Sequence, residues 1–115
     1  MSVAAAKQAC PKPVCNQLWR FDEVAPHLDQ LALHCEIEEG GAWVPYQDGT
    51  LAEILPLKAL VDSSGLRPGE AMLCGTLAAM GGVRPATAYR MRLNDPVLGR
   101  RMRLDYRLRP LPVVA

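Results

Sequence analysis

The sequence predicts a mainly β fold with one or two short helices, and three observations predict it. Two stretches near the C-terminus alternate apolar and polar residues with a period of two, as half-buried strands do. Ten prolines and nine glycines in 115 residues oppose a helical bundle, because neither is tolerated cheaply inside a helix. Asn, Asp, Gly and Pro cluster between the alternating runs, where the chain must turn. With 50% apolar and 22% charged residues, the composition is that of one folded domain over residues 1–115 rather than a disordered chain.

The elements follow in order. Asp22 to His27 reads as a short helical piece. From Leu31 to Ile37, the residues Leu31, Leu33, Cys35 and Ile37 share one side. Gly40-Gly41 then turns the chain into Trp43, Val44 and Tyr46, which gives a first hairpin. Asp48-Gly49 reads as a further turn. Thr50 with Glu53 has the spacing of a capping box, but Pro56 interrupts the segment, so a helix is expected from Leu57 to Ser63. Arg67-Pro68-Gly69-Glu70 is a tight turn, and Ala71 to Cys74 reads as a buried strand.

The last hairpin has the clearest signal. Thr87, Tyr89, Met91 and Leu93 alternate with Ala88, Arg90 and Arg92. Met102, Leu104, Tyr106 and Leu108 alternate with Arg101, Arg103, Asp105 and Arg107. Between them lies Asn94-Asp95-Pro96-Val97-Leu98-Gly99, rich in turn formers. One face of this hairpin is apolar and the other carries arginines.

Composition also excludes function classes. The longest uncharged run, Ala71 to Val83, has thirteen residues and three glycines, short of the roughly 20 needed to span a bilayer. The apolar start, Met1 to Ala6, is too short for a signal-peptide core. A cytoplasmic chain with reduced Cys10, Cys15, Cys35 and Cys74 is therefore expected. The net charge of +1 does not itself point to nucleic acid. Its distribution is uneven: a net of −5 from Met1 to Leu66, and +6 from Arg84 to Arg109. Such a split suits an acidic partner, a second copy, or attraction between the two halves of one chain.

Four groups of residues are chemical candidates. Cys10 and Cys15 with His27 and His34 lack zinc-site spacing, so ordinary thiols are the expectation. Glu36 and Glu38 share one face of a strand, a geometry divalent cations use, though the wet side of a hairpin has the same pattern. The hairpin arginines suit phosphates, but Tyr89 and Tyr106 lie on the opposite face, which argues against base stacking and hence against nucleic acid. Gly75-Thr76, with Gly81-Gly82 after it, makes a loop where backbone and a hydroxyl can approach a carboxylate or phosphate.

The order of these segments resembles the fumarylacetoacetate hydrolase superfamily. Pro68-Gly69-Glu70-Ala71-Met72-Leu73-Cys74-Gly75-Thr76, followed by Gly81-Gly82, is similar to that superfamily's "proline–glycine–acid, strand, Gly-Thr, glycine" stretch. Trp43 to Thr50, with Gln47-x-x-Thr50, resembles its turn before a short helix, and Lys7-Gln8-Ala9-Cys10-Pro11 its lysine and proline loop. Leu93 to Gly99 and Leu111 to Val114 are closest to an uncharacterised bacterial branch, so the likeness runs from about Lys7 to Val114.

The resemblance implies a partial β-roll with a C-terminal hairpin, dimer formation, and chemistry on small oxo acids and diketones such as hydrolysis, decarboxylation or isomerisation. By position it implies Lys7 as the charge-stabilising catalytic lysine, and Gln47, Gly75 and Thr76 as substrate-binding residues. A complete superfamily domain would also hold Mg2+ or Mn2+, on acids that precede the lysine. Only six residues precede Lys7 here and none is acidic. The expectation is therefore the C-terminal half of such a domain, without metal ligands or cofactor of its own and inactive alone. The alternative is a small binding or assembly module that uses its arginine hairpin.

Overall fold

The computed structural model describes residues 13–54, 56–72 and 74–109. Its centre is a four-stranded antiparallel sheet built from β1 (Ala32–Glu39), β2 (Ala42–Thr50), β3 (Ala88–Asp95) and β4 (Arg100–Arg107). The spatial order is β2-β1-β3-β4, so both predicted hairpins form and β1 pairs with β3 between them. The mainly β expectation holds at that level. Before the sheet lie α1 (Phe21–Val24) and a 3-10 segment (Ala25–Gln30); α2 (Leu57–Ser64) follows β2.

The alternation in the sequence becomes two environments. Cys35 and Ile37 are fully buried on the inner face of β1, while His34, Glu36 and Glu38 are only half-buried on the other. Along β4, every second residue from Arg101 to Arg107 is exposed. Tyr89 stands opposite Tyr106 and stacks on it at 5.1 Å, and Tyr46 meets Tyr89 edge-on at 6.4 Å. Cys35, Ile37 and Tyr46 form the core, covered by Val44, Ala79, Ala86, Tyr89 and Met91.

β2 carries one irregularity. Cys35 faces Gln47 but Glu36 faces Pro45, so Tyr46 is an extra residue in a bulge. Pro45 is accommodated there because β2 is an edge strand and needs no second ladder partner. The bulge breaks the period of two, and the neighbours Tyr46 and Gln47 are both buried.

Three expectations fail. Asp48-Gly49 is not a turn; both lie within β2, opposite His34 and Leu33. A side chain at Gly49 would stand 2.6 Å from the Glu53 carboxylate, so this glycine makes room for the following turn. Thr50 precedes a 3-10 turn (Leu51–Glu53) but makes no side-chain cap, because Glu53 folds over Gly49. Ala71, Met72 and Cys74 are not in a strand, and Ala71 is exposed. An apolar run satisfies strand propensity, but propensity alone does not make the chain pair, and here this stretch crosses as a loop. The other local readings hold. The Arg67–Glu70 turn closes with a 3.0 Å hydrogen bond from the Glu70 amide. α2 begins after Pro56 and ends at Gly65, whose φ of 71° is left-handed.

Candidate functional site

Residues 66–87 cross the core as a loop without helix or strand among the described residues, so side chains must hold it. The bulged pair on β2 does most of this. Gln47 Nε2 donates to Thr76 Oγ1 and to the Leu77 carbonyl, both at 2.7 Å. Leu77 is buried beneath this contact, whereas Gly75 and Thr76 are exposed. Gly75 has a φ of 117°, which side chains rarely adopt, and a Cβ there would touch Ile54 at 3.4 Å. Three residues singled out in the sequence, Gln47, Gly75 and Thr76, are thus brought together.

The Thr76 hydroxyl accepts from Gln47, which leaves its own proton for another acceptor. An exposed hydroxyl donor beside an exposed glycine backbone is suited to a carbonyl or carboxylate oxygen.

The second half of the loop is held differently. The Met80 amide donates to the Tyr46 carbonyl at 2.7 Å, and the Arg84 amide donates to the Tyr46 hydroxyl at 3.2 Å. Arg84 lies over the Tyr46 ring at 5.1 Å. Its guanidinium donates to the carbonyls of Met80 and Gly82 and forms a two-pronged pair with Glu39, Nη2 to Oε1 at 3.1 Å. The Arg84 hydrogen bond holds Glu39 below the usual carboxylate range, and Glu39 raises Arg84 in return. The Gly81-Gly82 turn therefore shapes this clasp. The Gly82 amide is taken by the Ala79 carbonyl, and a Cβ at Gly81 would stand 3.2 Å from Arg84.

A buried polar cluster lies at the other end of the sheet. The Asp95 side chain is fully buried, and its Oδ1 accepts from the Val97 and Leu98 amides at 3.0 and 3.1 Å, which shapes the β3–β4 turn. Oδ2 accepts from Arg100 Nε at 3.3 Å. His27 Nε2 stands 2.9 Å from Oδ1 without the alignment of a good hydrogen bond. Burial alone would push the Asp95 carboxyl up; His27 and the two amides outweigh it and hold it below the ordinary value. Sequence reading missed this cluster. The turn-forming Asn94-Asp95-Pro96 was its one local signal, and nothing local pointed to His27 as the partner.

The remaining candidates are dispersed. Lys7 and Cys10 lie outside the described residues. Cys15 donates to the Arg103 carbonyl at the β4 edge, and His34 sits beside Asp48 and Glu36. Burial, with Glu36 nearby, pushes the Cys35 thiol up and keeps it unreactive. Glu38 pairs with Arg107 rather than closing on Glu36. Among the described residues, no group of three or more His, Cys, Asp or Glu could hold a metal ion. These residues do not fit the Mg2+ or Mn2+ of a complete superfamily domain. The hairpin arginines meet acids of the same chain: Arg107 with Glu38, Arg100 with Glu23, Arg103 with Asp105. Arg90 lies over the Trp43 ring at 3.9 Å. The charge split thus draws the two halves of one chain together. Among the described residues, no helix is long and apolar enough to cross a membrane.

Residues 1–106 match the protein family described as Protein of unknown function (DUF2848). The chain belongs to that family. No curated protein and no solved structure matches this DUF2848 chain. The family description carries no activity, so for this DUF2848 chain the fumarylacetoacetate hydrolase resemblance rests on the sequence motifs alone.

Proposed function

We propose that the Gly75-Thr76 loop is a binding site for a small oxo acid, in a domain of the fumarylacetoacetate hydrolase type. One observation carries this reading: Gln47 holds Thr76 and Leu77 together, so the exposed Thr76 hydroxyl accepts within the chain and keeps its proton for a ligand oxygen. Gln47 and Thr76 are among the residues that the resemblance names as substrate-binding, and they lie 29 positions apart in the chain. Lys7 enters this reading through the resemblance, as the group that would stabilise developing enolate charge. The arginine-hairpin alternative is weakened, because much of its charge is paired within the chain.

Pyruvate is the simplest probe. Titration of the full chain, followed by NMR, should shift the Gly75 and Thr76 amides. Thr76→Val keeps the shape but removes the donor, and should weaken binding about tenfold, the worth of one hydrogen bond to a charged group. Equal affinity in that variant would contradict the reading. The homodimer implied by the resemblance is proposed alongside: β4 is an edge strand whose Met102, Leu104 and Tyr106 are only half-buried. Light scattering should give twice the 12.6 kDa chain mass, and a monomer would refute the dimer.

A further inference from the structure

The outer face of the β3–β4 hairpin carries charge that its own chain leaves partly unneutralised. The register sets Arg92 directly opposite Arg103, and Asn94 directly opposite Arg101. Strand alternation puts these four on one face, opposite to the core neighbour Met91. Residues opposed in this way have Cα atoms about 5 Å apart. Like charges so placed destabilise a sheet, whereas opposite charges support it. On the other side of β3, Arg92 faces His34 of β1, so neither neighbouring strand sets a carboxylate opposite it. The nearby acids are engaged elsewhere: Asp105 lies 3.5 Å from Arg103, while Asp48 and Glu36 lie 3.4 and 4.0 Å from His34. Among the described residues, neither Arg92 nor Arg101 has an ion pair, unlike Arg100, Arg103 and Arg107. Arg92 is also half-buried, where an unpaired charge is costly.

Three guanidinium groups, which donate hydrogen bonds and never accept them, stand here with one amide. A lone carboxylate needs only one guanidinium fork. A phosphate group carries up to two charges and three strong acceptor oxygens, enough to engage several forks at once. The patch has the extent of one such group. Toward the open end of the hairpin, Arg90 faces Glu36 and Asp105, which interrupts the row of positive charge. Toward the turn, the paired strands end at Asp95 and Arg100. A long polyanion laid along β3 and β4 would meet those acids, whereas a single phosphate would not.

We infer that Arg92, Arg101 and Arg103, with Asn94, form a binding site for a phosphate group, either the free ion or the end of a small phosphorylated molecule. The bound phosphate supplies the negative charge that the register withholds from Arg92 and Arg103. The site goes beyond the oxo-acid reading and does not rest on it.

The test is titration of the full chain with inorganic phosphate at constant low ionic strength, followed by NMR of the arginine side-chain N–H signals. Arg92, Arg101 and Arg103 should shift along one saturable curve, while Arg20 and Arg67, away from the sheet, stay still. Arg92→Gln should weaken phosphate binding about tenfold or more, the worth of a hydrogen bond between charged groups. The same change relieves the repulsion with Arg103, so in chloride its urea midpoint should be no lower than the parent's. A purely structural arginine would behave in the opposite way. Arg101→Gln, on the exposed margin, should also weaken phosphate binding and leave the midpoint unchanged. Methyl phosphate as tight as inorganic phosphate assigns the site to an esterified group, and much weaker binding assigns it to the free ion. Four results each overturn the inference: acetate binding as well as phosphate, a DNA duplex binding in preference to methyl phosphate, phosphate affinity unchanged in both variants, or Arg92→Gln destabilised or unfolded in chloride. None of them touches the Thr76 loop, where pyruvate should bind both variants as it binds the parent.

Discussion

The sheet and the 66–87 loop are held by different means. The sheet rests on many equivalent backbone pairings and an inner face of Cys35, Ile37 and Tyr46. The loop hangs on a few specific side chains, Gln47 at one end and the Tyr46–Arg84–Glu39 clasp at the other. Many weak contacts of one kind make a region robust to single polar changes. A few particular contacts make a region both adjustable and vulnerable, which suits a loop offered to a ligand.

The comparison breaks most readily at the sheet. Ile37→Ala empties a fully buried site and should cost about 3 kcal/mol, read as a lower urea midpoint for sheet and loop together. A loss confined to the loop would mean that the core does not lie where Ile37 puts it. Asp95 supplies the next effect. Because its folded carboxyl titrates below the ordinary Asp value of about 4, the stability it gives is full above that value. That stability is lost as the pH falls through the lower folded value. Urea midpoints measured from pH 6 to pH 2 should therefore drop at the acid end, and Asp95→Asn should flatten this dependence.

Smaller effects sharpen the contrast. Gln47→Leu removes two donors to the loop and should cost about 1–2 kcal/mol. Amide exchange in residues 74–80 should accelerate while β1 and β3 keep their protection. Arg84→Gln should be milder, because the pair with Glu39 is partly open to solvent and screened by salt. It should speed exchange around Met80 and Gly82 at low ionic strength, with little difference from the parent at high salt.

The same contrast separates what could be read in the sequence from what could not. The strands β3 and β4 were legible because each face meets a different environment, so Tyr89 and Arg90 had to differ. α2 was legible from Pro56 before it, although Gly65, which ends it, was not picked out. Gly49 misled because a glycine after an aspartate has turn composition, whereas here its missing side chain makes room for Glu53. Ala71 to Cys74 misled because an apolar run shows strand propensity without showing that the chain pairs with the sheet. Gln47, Gly75 and Thr76 were picked out by their motif, but the bond between them depends on the bulge at Tyr46, which comes from register rather than composition. The Arg84–Glu39 clasp and the His27–Asp95 contact are long-range pairings of common residue types, and no local pattern announces them.

The most direct test of the central claim is pyruvate affinity across four chains: the parent, Gln47→Leu, Thr76→Val and the double variant. If Gln47 acts by presenting the Thr76 hydroxyl, each single change should weaken binding by a similar factor, about tenfold. The double variant should then be no weaker than either single change, since both remove the same donor. Gln47→Leu binding pyruvate as tightly as the parent, with only Thr76→Val impaired, would contradict the claim.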